Sequence, residues 1–413
     1  MIRLVFLLVL AGVASAGCTV NEIVVAEETE LVVAESPVDE SRLLDIGIVE
    51  FQAGIPEDND PDKTGVFEEI RNAETKYLAY HLKNTLQGTG HWGAVRVIPS
   101  REAFTDVIVT GAIRKSDGEF VELDITAADA AGRQWFSRTY ETQTGMTSYS
   151  DRRDRRRDPY QKIFNDIAND LHEFVGQLPP KQLQQTRQIS ELKFFEDMSP
   201  LAFDGYLGED DQGIVTLVRL PAENDPAVAR LRQIRERDRL VVDTLNEHYA
   251  NFYYGISMPY RNWRKTARQE SINYRQVKRS ARLQTLVGVV VLAGSLAMDT
   301  DGSSSRSRRV KSGLQYMGIS EGMNRIVGGI QRAGEANIHI DAIAELSESF
   351  GAEAAPMVVS VEGQERRLTG TATAQYEGWR RLLKEIYEAE TGFSQSIEVG
   401  APARSTSRSP ESQ

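Results

Sequence analysis

A chain of 413 residues at 40% hydrophobic content carries enough apolar material for two or three cored domains. Its formal net charge of −12 argues against general nucleic-acid binding, which needs a basic footprint. With one cysteine in the chain no intramolecular disulfide can form, so stability has to come from apolar cores.

Residues 1–17 have the layout of a secretory signal: a positive start at Arg3, an apolar run Leu4–Val13, and the small residues Ala14-Ser-Ala-Gly17. The run is too short for a permanent spanning helix. Ala14-x-Ala16 suits ordinary signal cleavage, which would leave Cys18 a free thiol beside the cut. Ser15-Ala-Gly-Cys18 instead resembles a bacterial lipobox, although Ser15 stands where Leu is more usual. That resemblance implies an acylated Cys18 as the first mature residue, held on a membrane by several acyl chains. Thr19, rather than Asp, follows the cysteine, as in lipoproteins forwarded to the outer membrane. Residues 18–42, rich in Glu and Val and lacking Gly after the cysteine, are expected to form a tether.

A first domain is expected over 43–178. Leu44–Phe51 alternates as a strand, Gly54–Lys63 is an acidic loop, and 66–86 has helical spacing stopped by Gly88-Thr-Gly90. Strands follow at Ala94–Ile98, Asp106–Arg114, Glu119–Ala127 and Gln134–Thr142, the last two separated by Asp129–Gly132. A helix over Tyr160–Leu178, with Ile163, Ile167, Leu171, Phe174 and Val175 on one face, closes a sandwich-like β-α-β-β-β-β-α unit.

These stretches carry a resemblance. "DIGIVEF", a helix, "GHWGAVRVIP" and "DVIVTGAIRKSDGEFVELDITAADAAGRQWFSRTY" look like the periplasmic domain shared by the curli-secretion lipoprotein CsgG, the lipoprotein activators of penicillin-binding proteins, and the TolB N-terminal domain. The matching residues are Phe51, Val109-Thr-Gly111, Val121, Leu123, Ile125, Asp129, Gly132 and Trp135. The resemblance implies an architecture and an envelope address rather than a reaction. It gives no match for 180–413. No strand pair in 43–178 has the lipid-facing alternation of a transmembrane hairpin, which argues against a curli-type pore.

Leu178-Pro-Pro180 opens an expected linker over 179–224, holding a short helix and loops. A helical domain is expected over 225–391. Asn224-Asp-Pro226 starts a helix running to about Tyr254, Pro259 breaks it, and a second helix runs from Tyr260 through Arg282 into Leu283–Met298. A third helix fits Ser312–Phe350, a β-hairpin fits 357–370, and a last helix over Gln375–Glu390 carries Trp379, Leu382, Leu383 and Ile386. Residues 392–413 form a polar, Ser/Pro-rich tail expected to be disordered. The fold class is therefore α+β: the β-α-β-β-β-β-α unit followed by a mainly helical domain with a small hairpin.

Catalytic strings are weak. Gly318-Ile-Ser320-Glu-Gly322 fits a nucleophile elbow, but helical spacing surrounds it, and His339 and Asp341 follow only two residues apart, without the order of Ser, acid and His over a long stretch. The better reading is a helix face of small residues, Gly318, Gly322 and Gly329, on which another helix packs closely. Ser190-Glu-Leu-Lys193 matches S-x-x-K without its companion motifs. Histidines at 81, 91, 172, 248 and 339 have no metal-ligand spacing. No catalytic residue, metal or cofactor is assigned.

Two charged stretches point to partners. Arg152, Arg153, Arg155, Arg156 and Arg157 lie together before the helix that closes the first domain, as a solvated loop or a contact for an anionic partner. Between Arg261 and Arg282 eight basic residues face one acid, Glu270, interleaved with Tyr260, Trp263 and Tyr274. They lead into Leu283–Met298, 16 residues without a charge, which has to be covered by the protein, by another copy or by a membrane surface.

The sequence thus reads as a lipid-anchored periplasmic binding or scaffold protein at the outer membrane, and not as an enzyme. Its partners would be the membrane through Cys18, envelope proteins, and further copies of itself, with no nucleic acid. A regulator of peptidoglycan synthesis and an oligomeric component of an export or surface-structure machine are the alternatives.

Overall fold

The computed structural model describes residues 28–391 apart from 60–63, 101–103, 146, 151–156, 223, 298–340, 342–343, 346–356 and 362–363, with side chains between 226 and 297 described as far as Ile272. The fold is α+β, with an N-terminal sheet domain and a later helical region that carries a small hairpin.

Strand β1 (Ile46–Val49) leads into helix α1 (Glu68–Thr89), which crosses over to place β2 (Val95–Ile98) parallel to β1. β3 (Val107–Ser116) pairs with the other side of β1, also in parallel, and β4 (Phe120–Asp129) and β5 (Gln134–Gln143) continue as antiparallel hairpins. The sheet order is β2-β1-β3-β4-β5, and α2 (Gln161–Gly176) completes the expected element order.

Period-two alternation decides which face is covered. Val107, Val109 and Ile113 of β3 and Val121, Leu123, Ile125 and Ala127 of β4 are buried against Leu78 and Leu82 of α1 and Ile163, Ile167 and Leu171 of α2. Gly90 ends α1 in the left-handed conformation (φ 71°), which explains why the expected Gly stop works. Asp129 turns β4 into β5 by accepting the N–H groups of Ala131 and Arg133, with Gly132 at φ 87°.

Part of the expected tether is bound to this domain. Asn165 and Asn169 of α2 donate to the Thr29 and Glu30 carbonyls, Asn169 accepts from Val32 N–H, Ala34 N–H reaches the Thr89 carbonyl, and Arg187 holds the Glu40 carbonyl. Residues 28–42 therefore do not add free reach.

The second half departs further from expectation. Residues 179–224 are packed structure rather than a linker. α3 (Pro180–Met198) buries Leu183, Ile189, Leu192, Phe194, Phe195 and Met198, and a single helical turn, Pro200–Phe203, leads into the hairpin β6 (Leu207–Glu209) and β7 (Val215–Leu217). The double proline that suggested a linker serves as the start of α3, where a missing N–H is harmless.

Pro259 does not break the next helix. α4 runs from Pro226 to Ala297, 72 residues and roughly 110 Å. A proline inside a helix costs about 3 kcal/mol. Burying Ile256, Tyr260 and Trp263 on either side of it, at about 1.5–3 kcal/mol each, offsets that cost.

α4 belongs to two cores. Val228, Leu231, Ile234, Val241, Val242 and Leu245 pack with α3 and with α5 (Ala372–Thr391), where Trp379, Leu382, Leu383 and Ile386 are buried as expected. Tyr249, Phe252, Ile256, Tyr260 and Trp263 of the same helix join the core of the first domain. The hairpin β8 (Met357–Val361) and β9 (Gln364–Leu368) lies where expected, and its Met357 joins the second core.

Candidate functional site

The densest polar chemistry lies where α4 meets the first domain. Pairing begins at the sheet edge: Asn246 accepts from Val97 N–H (2.8 Å) and donates to the Val97 carbonyl (3.0 Å). One amide side chain thus stands in for a neighbouring strand along β2, whose exposed edge would otherwise invite pairing. Asp243 takes Arg96 in a two-point contact, Arg239 reaches Asp45 at 3.2 Å, and Tyr249 donates to Glu50 at 2.6 Å.

Farther along, Arg264 is buried and forms a two-point pair with Asp158, both N···O distances being 2.8 Å. Its guanidinium lies 4.2 Å from the ring centre of Tyr260 and 4.7 Å from that of Tyr160, so aromatic faces replace water around the charge. Asp158 also accepts from Tyr160 N–H and Tyr77 O–H. Burial by itself would raise the Asp158 pKa, but Arg264 outweighs it and holds the carboxyl well below the usual carboxylate range. Beside it, Glu74 accepts from Ser116 and Tyr260 (2.6 Å) and pairs with Arg71, and its pKa is raised because burial dominates.

His81 is also buried here. Its Nε2 faces the acceptor-only Oε1 of Gln161 (2.9 Å) and so carries the proton, which leaves Nδ1 to accept from Tyr253 O–H (2.7 Å). Burial lowers its pKa, consistent with a neutral ring.

The tip of the β3–β4 turn touches the α4 backbone. Gly118, at φ 80°, has no room for a side chain: a Cβ there would lie 2.1 Å from the Arg264 carbonyl oxygen and 2.8 Å from Arg268 N. Arg268 Nε reaches Thr144 Oγ1 at 3.1 Å, and Ser271 reaches Asp117 at 3.4 Å. From Ser271 the α4 backbone continues to Ala297, roughly 40 Å farther.

The arrangement ties α4 to the first domain, with Asp158, Glu74 and His81 each held by internal partners. Arg264, Tyr260 and Trp263, which the sequence presents as part of a basic and aromatic partner-facing stretch, are core residues. The available signal was their spacing with Tyr249, Tyr253 and Ile256, which keeps all six on one helix face. Asp158 and Asn246 carried no sequence signal.

Of the residues singled out earlier, Arg157 pairs with Glu28 at 3.1 Å and is half exposed. Arg152, Arg153, Arg155, Arg156, Cys18, Gly318, Gly322, Gly329, Ser320 and His339 lie outside the described residues, as does the third helix expected over 312–350 except for the helical positions 341, 344 and 345. Ser190 is buried, and its hydroxyl is held by Arg235 Nη2 at 2.8 Å. His91 and His172 stack at 3.7 Å. Among the described residues no group of three or more His, Cys, Asp or Glu could hold a metal, and no helix is long and apolar enough to cross a membrane.

In comparisons with known proteins, no family model, no curated protein and no solved structure matches the chain.

Proposed function

We propose that the chain is a lipid-anchored, periplasmic binding and scaffold protein of an outer-membrane-associated assembly, related to the CsgG, penicillin-binding-protein activator and TolB N-terminal domains, with no catalytic step of its own. One observation carries this reading: α4 is a single 72-residue helix clamped into both cores. A scaffold needs a continuous member between its attachment points, and α4 has that form. Its far end reaches the uncharged run that starts at Leu283. A segment so apolar has to be covered, and a helix continuous with both cores can present it to a covering partner.

On this reading, lipid on Cys18 gives the location, the first domain offers sheet and loop surfaces, and the end of α4 binds a partner. The second reading, an oligomeric component of an export or surface-structure machine, is favoured by the same apolar end of α4 together with the Gly318, Gly322 and Gly329 pattern.

The test is crosslinking in cells followed by mass spectrometry, on wild type and Cys18→Ser, with labelled palmitate as the check on acylation. The scaffold reading expects palmitate on wild type only and crosslinks from 272–298 to other envelope proteins. A ladder of self-crosslinks from that segment, with high-mass species in detergent, selects the oligomer instead. A Cys18→Ser protein that stays on the membrane with unchanged crosslinks sinks the lipid anchor.

A further inference from the structure

The helices α1 and α2 cover one face of the sheet, and α3 approaches the other. Between α3 and the outward side of β3 and β4 lies a cleft of about 390 Å³, within the size range of small-molecule sites. Its floor is two cross-strand pairs, Ile108 with Ala128 and Thr110 with Thr126, so an apolar rung lies beside a hydroxyl rung. Its wall is one turn of α3 bearing Ser190 and Lys193.

The polar groups of the cleft differ in what they have left to offer. Asp129 is satisfied, with two backbone N–H groups on one oxygen and Arg133 on the other at 2.9 Å. Ser190 is occupied by Arg235, and the Thr110 and Thr126 hydroxyls are engaged with the Thr126 carbonyl and with Ser137. Lys193 is the exception. No hydrogen bond or ion pair to it lies within reach among the described residues, although the cleft half buries it. Burial lowers its pKa, and the more distant Asp129, Glu196 and Glu209 oppose that shift. A half-buried ammonium beside an apolar rung is short of a charged acceptor.

We propose that this cleft binds a small organic carboxylate, with the carboxylate on the Lys193 ammonium and an apolar body over Ile108 and Ala128. The threonine oxygens orient polar substituents of the ligand through lone pairs their own hydrogen bonds leave free.

The test is calorimetric titration of the full chain with sodium benzoate and, separately, with benzyl alcohol, which has a similar body and no charge. Saturable benzoate binding is expected, at least about tenfold tighter than benzyl alcohol, as one charge-assisted hydrogen bond provides. Lys193→Met is expected to abolish that preference and Lys193→Arg to keep it, with circular dichroism confirming that both variants fold. Equal binding of the two probes, no saturable benzoate heat, or a benzoate affinity unchanged in Lys193→Met each overturns the proposal.

Discussion

Helix α4 supplies a charged side chain to each of the two cores, and the two acids involved have opposite fates. In the first domain, Asp158 receives both arms of Arg264 at 2.8 Å, and its pKa is depressed. In the helical region, Asp238 of α4 is as thoroughly buried, yet its partners are looser: Trp379 Nε1 at 3.1 Å, Tyr376 O–H at 3.4 Å and Arg380 at 3.5 Å. Burial there outweighs Arg380, and the Asp238 pKa is raised. Geometry decides the sign. A two-point guanidinium contact repays the desolvation of a carboxylate, whereas single contacts at longer distance do not.

The sharpest way to break this comparison is to remove Arg264. Arg264→Ala leaves Asp158 charged and buried without its partner, and a loss of about 3–5 kcal/mol is expected in urea denaturation of the first domain. A loss below about 1 kcal/mol would mean that the pair is no clamp.

Gly118→Ala attacks the same joint from the other side. An L residue in the left-handed region costs about 1–2 kcal/mol, and the new methyl must also push the α4 backbone away, so at least about 2 kcal/mol is expected in thermal melts. Gly213→Ala is the control. It shares a positive φ (75°) but has open space around it, so it should cost only the conformational part.

Asn246→Ala removes both bonds to Val97, for an expected cost of about 1–3 kcal/mol. The check is amide exchange, in which Val97 should speed up far more than the interior strand β1.

The smallest effect is expected at the second acid. Asp238→Asn should change stability by about 1 kcal/mol or less near neutral pH, because the native site disfavours the charge it removes. The two acids also have opposite pH signatures. Asp158, with its depressed pKa, stabilises the fold above the ordinary Asp value of about 4, and that contribution is lost as pH falls toward its folded pKa. Asp238, with its raised pKa, favours the fold at low pH, and its contribution is lost as pH rises through that raised value. Asp238→Asn should therefore remove a decline in stability on the alkaline side of the carboxylate range, and Asp158→Asn should not.

The N-terminal unit could be read from the chain because its signals are local. Alternation in 107–113 and 121–127 assigns a face to each residue of a strand, and Gly90 and Asp129–Gly132 mark ends and turns through their own backbone preferences. The same holds for the last helix and for the 357–370 hairpin. The joint was not legible, since its decisive contacts span 106 residues from Asp158 to Arg264 and 149 from Val97 to Asn246, and no local pattern reports a partner at that separation. Only the tertiary structure decided that Pro259 stays inside a helix, that 179–224 is packed, and that one arginine of a basic stretch belongs to a core. In each case burial of neighbouring apolar and aromatic residues outweighed a local preference of a few kcal/mol, and that burial exists only once the two halves of the chain meet.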